Sequence, residues 1–435
     1  MSSTQNAMQI DKLIVTNFKN FEHAEVDFSV GVNLFVGGNG SGKTSILEAL
    51  NVAMGGFFGS QEQKMQRVID YDEIKITDGK REQYTTVSAN SRVIGSEWSR
   101  TIKRDTKNND KSAVKPASDY GEDYFRLFEI KEDRTISPLL AFYSTQRLFK
   151  DASLSGKQKY DVANGRRNGY LQCLKENAIK GVLNEWLGNA VTRRATLQIK
   201  EIEKVDLILE NVESAIKQTL ILFLDLPQDF SLKIYPDPDY DNELYINYDS
   251  EHNLPLSYYS DGFRNLLYLV IDMVWRASQL NPWLTLEELS FNIFGVVTID
   301  EIDLHLHPKW QAKAISLIQL LFPKVQFFIT THSPTVVANF QNGTVFVISD
   351  NQIIKYNSEF FGKQVNSILR NVLGASDRHV PTQNKLNLLF TLIDENKTDE
   401  YEPLLEELTN LLGLEDADIN KALALIEWQK SNFQD

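Results

Sequence analysis

The chain has 435 residues, 42% hydrophobic and 24% charged, with a formal net charge of −14 and a single cysteine, Cys173. This length suffices for one large or two ordinary domains, and one thiol excludes an internal disulfide framework and fits a reducing compartment. So acidic a chain is a poor non-specific nucleic-acid binder as a whole, and its longest apolar stretch, around Leu266–Trp275, is too short and polar to span a bilayer.

Met1–Ala7 is polar and lacks an apolar signal core, so a cytoplasmic protein with no membrane association is expected. Residues 8–36 read as two strands, clearest at Leu13–Val15 and Val32–Val36. A glycine-rich loop follows, then a helix from about Thr44 to Met54. Residues 72–105 have the pattern of short antiparallel strands, and polar residues 106–120 predict a loop. Residues 165–225 are mostly helical in pattern, too few for a long coiled-coil arm. Two apolar strands near Gly295–Ile299 and Val325–Ile329 end in polar residues, and ligands of open α/β sheets bind beyond such ends. After Pro381, Leu386, Leu389 and Leu392 recur at helical spacing, predicting two or three amphipathic helices. Arg166–Arg167, Arg193–Arg194 and the Lys103–Lys115 stretch are local basic patches through which nucleic acid would bind; a solvated surface is the plainer reading of each.

Gly37-Gly38-Asn39-Gly40-Ser41-Gly42-Lys43-Thr44 matches the P-loop pattern in full, between a predicted strand and a predicted helix. Successive backbone N–H groups at a helix N-terminus cradle a phosphate, Lys43 neutralises its oxygens, and the Thr44 hydroxyl holds Mg²⁺. ATP and Mg²⁺ are therefore the expected ligands. The strand Val296–Ile299 ends in Asp300 and Glu301, which suit a Mg²⁺ ligand and a general base for the attacking water. His332 ends the next apolar strand and is placed to sense the γ-phosphate. Ser260 and Gly262, before an apolar helix, offer a hydroxyl and a backbone N–H to a phosphate, while Asp261 is a plain capping residue.

Taken in order, these motifs resemble the ABC-type ATPase heads of the RecF/SMC kind over residues 8–350. The resemblance adds a Q-loop at Gln146, implied to touch both the metal and the attacking water, and a D-loop at Ile302–Pro308. A D-loop is the better reading of His305 and His307 than a metal site. The opening Lys12–Phe21 also looks like the start of that RecF/SMC family, and Ala141–Arg147, Asp300–Gln311 and Phe361–Leu369 are similar to a bacterial subfamily that includes the ATPases of Septu and some retron anti-phage systems. The fold implied is α/β: an ABC-type P-loop head with a mixed β-sheet, an antiparallel β subdomain and a helical insertion at about 151–250. A C-terminal helical region at 351–435 would serve as a partner or oligomer interface.

The resemblance further implies a homodimer or higher homo-oligomer in which Ser260 and Gly262 of one subunit cap ATP bound to the other, and a separate HNH-type nuclease partner. A RecF-like DNA-maintenance ATPase and an ATP-binding scaffold with negligible turnover are the alternatives. Ser260-Asp261-Gly262-Phe263-Arg264 departs from the Ser-Gly-Gly-Gln of the archetypal signature, which leaves the turnover rate open. Leu- and Glu-rich helices after His332 leave no TOPRIM pattern, so nuclease activity in this chain is not expected.

Overall fold

The computed structural model describes residues 8–59, 65–110, 112–130, 133–145, 162–175, 180–237, 243–248, 253–356, 360–374 and 378–432. They divide into two compact units, 1–368 and 369–435. In chain order the first unit opens with strands β1 (Lys12–Phe18), β2 (Phe21–Asp27) and β3 (Val32–Gly37) and helix α1 (Lys43–Met54). A small hairpin, β4 (Ile76–Thr77) and β5 (Lys80–Arg81), precedes β6 (Tyr84–Ser91), β7 (Ser96–Lys103), β8 (Asn109–Asp110), α2 (Lys115–Leu127) and β9 (Leu139–Tyr143). Helices α3 (Lys180–Ile199) and α4 (Leu207–Leu224) lead to β10 (Lys233–Asp237), β11 (Glu243–Asn247) and β12 (Asn253–Pro255). Then come α5 (Asp261–Leu280), α6 (Leu286–Asn292), β13 (Gly295–Ile299), α7 (Pro308–Leu321), β14 (Val325–Thr331), α8 (Pro334–Asn339), β15 (Gly343–Ser349), β16 (Gln352–Tyr356) and α9 (Val365–Asn371).

The main sheet has the order β16-β15-β3-β14-β13-β9, parallel except for the antiparallel edge strand β16. β3, β13 and β9 are buried throughout, as strands covered on both faces must be, and read as continuous apolar runs. The second sheet, β2-β1-β6-β7-β8, is antiparallel. Helix α1 touches β3, β13 and β14 of one sheet and β1, β6 and β7 of the other. Eleven of its twelve residues are consequently buried, so it is apolar around most of its circumference. Phe28, Phe35, Phe328 and Phe346 fill the space beside it with ring centroids 4.8–6.2 Å apart.

Three local expectations are corrected. Residues 8–36 hold three strands, not two: in Phe21–Asp27 only Phe21, Ala24 and Val26 are buried, and the polar residues between them hid the strand. The predicted loop at 106–120 contains β8 and the start of α2. Pro116 sits in the first turn of α2, where a missing N–H costs nothing, and Ala117, Gly121 and Phe125 form its buried face. A Cβ on Gly121 would overlap the Phe57 carbonyl, so close helix packing requires glycine there. Lys115 and Asp119 face solvent and gave the stretch its loop-like composition. Strands β10, β11 and β12 form a three-stranded antiparallel sheet, which the reading of a helical insertion at about 151–250 did not include.

The second unit holds helices α10 (Val380–Asp394), α11 (Thr398–Leu412) and α12 (Ala417–Asn432). Leu386, Leu389, Ile393, Leu408, Ile419 and Ala422 make its core, and Arg378 is tied to Asp416 at 2.8 Å.

Candidate functional site

The polypeptide leaves β3 at Gly37, turns through 38–42 and enters α1 at Lys43. Gly40 (φ 74°) and Gly42 (φ 105°) adopt left-handed backbone, which non-glycine residues resist. At Gly42 a Cβ would also lie 2.6 Å from the Phe21 ring. A Cβ on Gly38 or Gly40 would meet nothing within 4 Å. The Lys43 ammonium donates to the Gly38 carbonyl at 2.7 Å and the Gly37 carbonyl at 3.0 Å. Burial holds its pKa below the ordinary lysine range, against the pull of Asp300, Glu301 and Asp303. Asn20 donates to the Gly40 carbonyl at 3.0 Å and steadies the turn from outside.

Strand β14 lies between β3 and β13, so the P-loop, the acid pair and His332 emerge at one edge. The Thr44 hydroxyl donates to both carboxylate oxygens of Asp300, at 3.2 and 3.1 Å. The buried Thr298 hydroxyl donates to Asn51 at 2.8 Å and ties α1 to β13. Glu301 has a φ of 48°, a conformation costing about 1–3 kcal/mol that its surroundings must impose. His332 Nε2 is 3.9 Å from Glu301 Oε1. Burial lowers the imidazole's pKa and the Lys43 charge lowers it further, while Asp303 and Asp300 oppose both.

Ser260 caps α5 and its Oγ accepts from the Phe263 N–H at 3.4 Å. Ser260 and Asp261 are exposed. Gly262 packs on the segment after the acid pair: a Cβ there would overlap the His305 carbonyl and lie 2.9 Å from the Leu306 nitrogen. His307 caps α7, its Nδ1 accepting from Lys309 at 3.2 Å. Next to the acid strand, Tyr143, whose carbonyl accepts from the Asp300 N–H at 2.8 Å, donates its hydroxyl to Asp272 at 2.7 Å, and Arg276 donates to the same oxygen at 2.7 Å, which fastens α5 to β9. Gln146 lies outside the described residues.

The structure thus brings Gly37, Gly40, Gly42, Lys43, Thr44, Asp300, Glu301 and His332 together, with Asn39 and Ser41 in the same loop. Ser260 and Gly262 stand at the head of α5, joined to the acid strand through His305. Sequence reasoning singled out neither Asn20 nor the threonine pair Thr330–Thr331, and it gave Asp303 only as part of the D-loop. Their signals were an Asn beside the P-loop partner strand, a third acid in Asp-Glu-Ile-Asp, and two hydroxyls directly before His332.

Mg²⁺ is bound through one or two carboxylates plus phosphate oxygens and water, so it needs no cage of protein ligands. A threonine hydroxyl and an aspartate carboxylate in mutual contact at the P-loop mouth are donors of that kind and fit the ion. Among the described residues no helix is long and apolar enough to cross a membrane.

The chain is similar to the Septu protein PtuA of Bacillus mycoides, with 26% identity over 79% of this chain and 41% of that protein. It is also similar to the Vibrio cholerae protein named "Retron Vc95 probable ATPase", 26% identical over 83% of this chain and 78% of that protein. With the PtuA of Bacillus thuringiensis the figures are 23%, 90% and 91%. The chain therefore spans less than half of the first of these relatives and most of the other two. The profile of the family described as "AAA domain, putative AbiEii toxin, Type IV TA system" matches residues 32–338, well over half of the chain, and the chain belongs to that family.

Proposed function

We propose that this protein is an Mg²⁺-dependent ATPase of a bacterial anti-phage defence complex, in which ATP-driven dimerisation controls a partner nuclease of the HNH type. The observation that carries the catalytic reading is the contact of Thr44 with Asp300 at the end of the P-loop, with Glu301 and His332 beside it. In this reading the P-loop N–H groups and Lys43 hold the β- and γ-phosphates. Thr44 and Asp300 hold Mg²⁺, which neutralises charge on the phosphate oxygens. Glu301 accepts a proton from the attacking water as the bond between γ-phosphorus and the ADP oxygen breaks. Gln146 would assist at the metal and the water. Neutral His332 meets the γ-phosphate and loses that contact after hydrolysis.

Ser260 and Gly262, exposed or at the very head of a long helix, suit a phosphate brought by a second copy. ATP would then favour the closed dimer through contacts that only that state makes. The relatives named for Septu and retron systems support the defence setting. We place partner docking on residues 369–435, an acid-rich unit with Leu411, Leu414 and Trp428 exposed.

The test mixes Lys43→Ala chains with Ser260→Arg chains. Each mutant alone lacks both intact sites, and a mixed dimer regains one. Phosphate release above either mutant alone is expected; no recovery in proven mixed dimers would exclude a shared site. Direct DNA binding has less support. Arg194 is spent on Glu213 at 2.6 and 2.7 Å, and Arg166 on the carbonyls of Leu280 and Thr135. Strong, salt-sensitive DNA binding by the chain alone would favour it instead.

A further inference from the structure

We infer that Thr330 is a positioning residue for hydrolysis, setting both acids of the site through one buried hydroxyl; this rests on the ATPase reading above. Thr330 is fully buried near the end of β14. Its hydroxyl donates to Asp300 Oδ1 at 2.6 Å and accepts from the Glu301 N–H at 2.8 Å. Its backbone carbonyl accepts from the Ile302 N–H at 3.1 Å. One residue therefore bonds to three successive residues of the acid segment, thirty positions earlier in the chain.

The geometry explains why this grip matters. Parallel pairing of β13 with β14 ends at Ile299 and Ile329; beyond it the Asp300 N–H still donates to the Tyr143 carbonyl of β9 at 2.8 Å, whereas Glu301 lies past the paired registers of both neighbours. Glu301 sits in left-handed backbone, which turns its peptide away from the strand path. The Thr330 hydroxyl is the acceptor for that turned peptide. The same oxygen, through its proton, fixes the Asp300 carboxylate that Thr44 also reaches. Thr331 repeats the device one residue on: it donates to Asp303 at 2.5 Å and accepts from the Ser333 N–H at 3.0 Å. A strand's alternating faces allow two adjacent hydroxyls to clamp one acid segment from both sides. A residue with the shape of threonine and no hydroxyl leaves the turned peptide and one carboxylate oxygen without this partner, while the P-loop stays intact.

The experiment compares the full-length parent, Thr330→Val and Thr330→Ser for phosphate release, for affinity toward a fluorescent ATP analogue and for melting temperature. Residues that orient a metal-site carboxylate typically matter about 10–100-fold, so Thr330→Val should lose that much kcat. Analogue affinity should stay near the parent's, and Thr330→Ser should return most of the rate. If valine is not accepted in the core, Thr330→Ala removes the same hydroxyl and is compared with Thr330→Ser. A hydroxyl-free variant that folds and turns over like the parent overturns the inference, as does a loss confined to nucleotide affinity. A parent that binds the analogue but releases no phosphate instead refutes the ATPase reading, and the inference falls with it.

Discussion

Glu301→Gln separates chemistry from binding, because the structure gives its side chain and backbone different tasks. The backbone N–H is held by Thr330 and survives the substitution. The side chain is about one third exposed, with His332 Nε2 at 3.9 Å. Exchanging a carboxylate for an amide of equal shape there should change stability by no more than about 0.5 kcal/mol. Catalysis should change far more. A positioned general base contributes about 10²–10⁴-fold, which corresponds to about 3–5 kcal/mol in the barrier. Single-turnover phosphate release should fall by that factor, ATP affinity should persist, and sizing chromatography should show a longer-lived ATP-bound dimer. Asp300→Asn is the contrast: Asp300 is buried and accepts from Thr44 and Thr330. Loss of that charge should cost about 1–3 kcal/mol of stability as well as turnover. Hydrolysis by Glu301→Gln close to the parent's rate would remove Glu301 from the base role.

Two further outcomes follow from the same geometry. His332 has its pKa lowered by burial and then by Lys43, so it is neutral at pH 7. A depressed folded value means the unfolded chain binds the proton first; His332's contribution is complete above the ordinary imidazole value and is lost as pH falls through the folded one. The nucleotide-free parent should therefore lose melting temperature on acidification below about pH 6.5 more steeply than His332→Gln, and parallel curves would contradict the assignment. Gly262→Ala puts a Cβ into the His305 carbonyl. Forced overlap of this kind costs about 1–3 kcal/mol, so melting temperature and phosphate release should both drop; an unaffected variant would show that the helix head and the acid segment do not share this contact.

Much of the site was legible because its parts are local in sequence. Gly37–Thr44 carries its own turn, its own helix start and its own charge, so spacing alone located the P-loop pattern between β3 and α1. Asp300 and Glu301 stood out for the opposite reason: two acids directly after Val296–Ile299 contradict the apolar run they end. His332 was legible through the same interruption. Elements whose polar residues dominate were missed, as with β2, which pairs with its neighbour β1, and α2, which packs on residues 55–57 and on β7.

The sequence by itself determined the P-loop pattern, its strand–loop–helix frame and the helices after Pro381, because each follows from backbone preference and residue order within a short window. Only the tertiary structure decided that β14 lies between β3 and β13, that Gly262 abuts His305, and that Thr330 grips the acid segment. Those facts depend on packing between strands and helices far apart in sequence, and the free energy of burying α1 between two sheets selects them. No run of neighbouring residues records that choice.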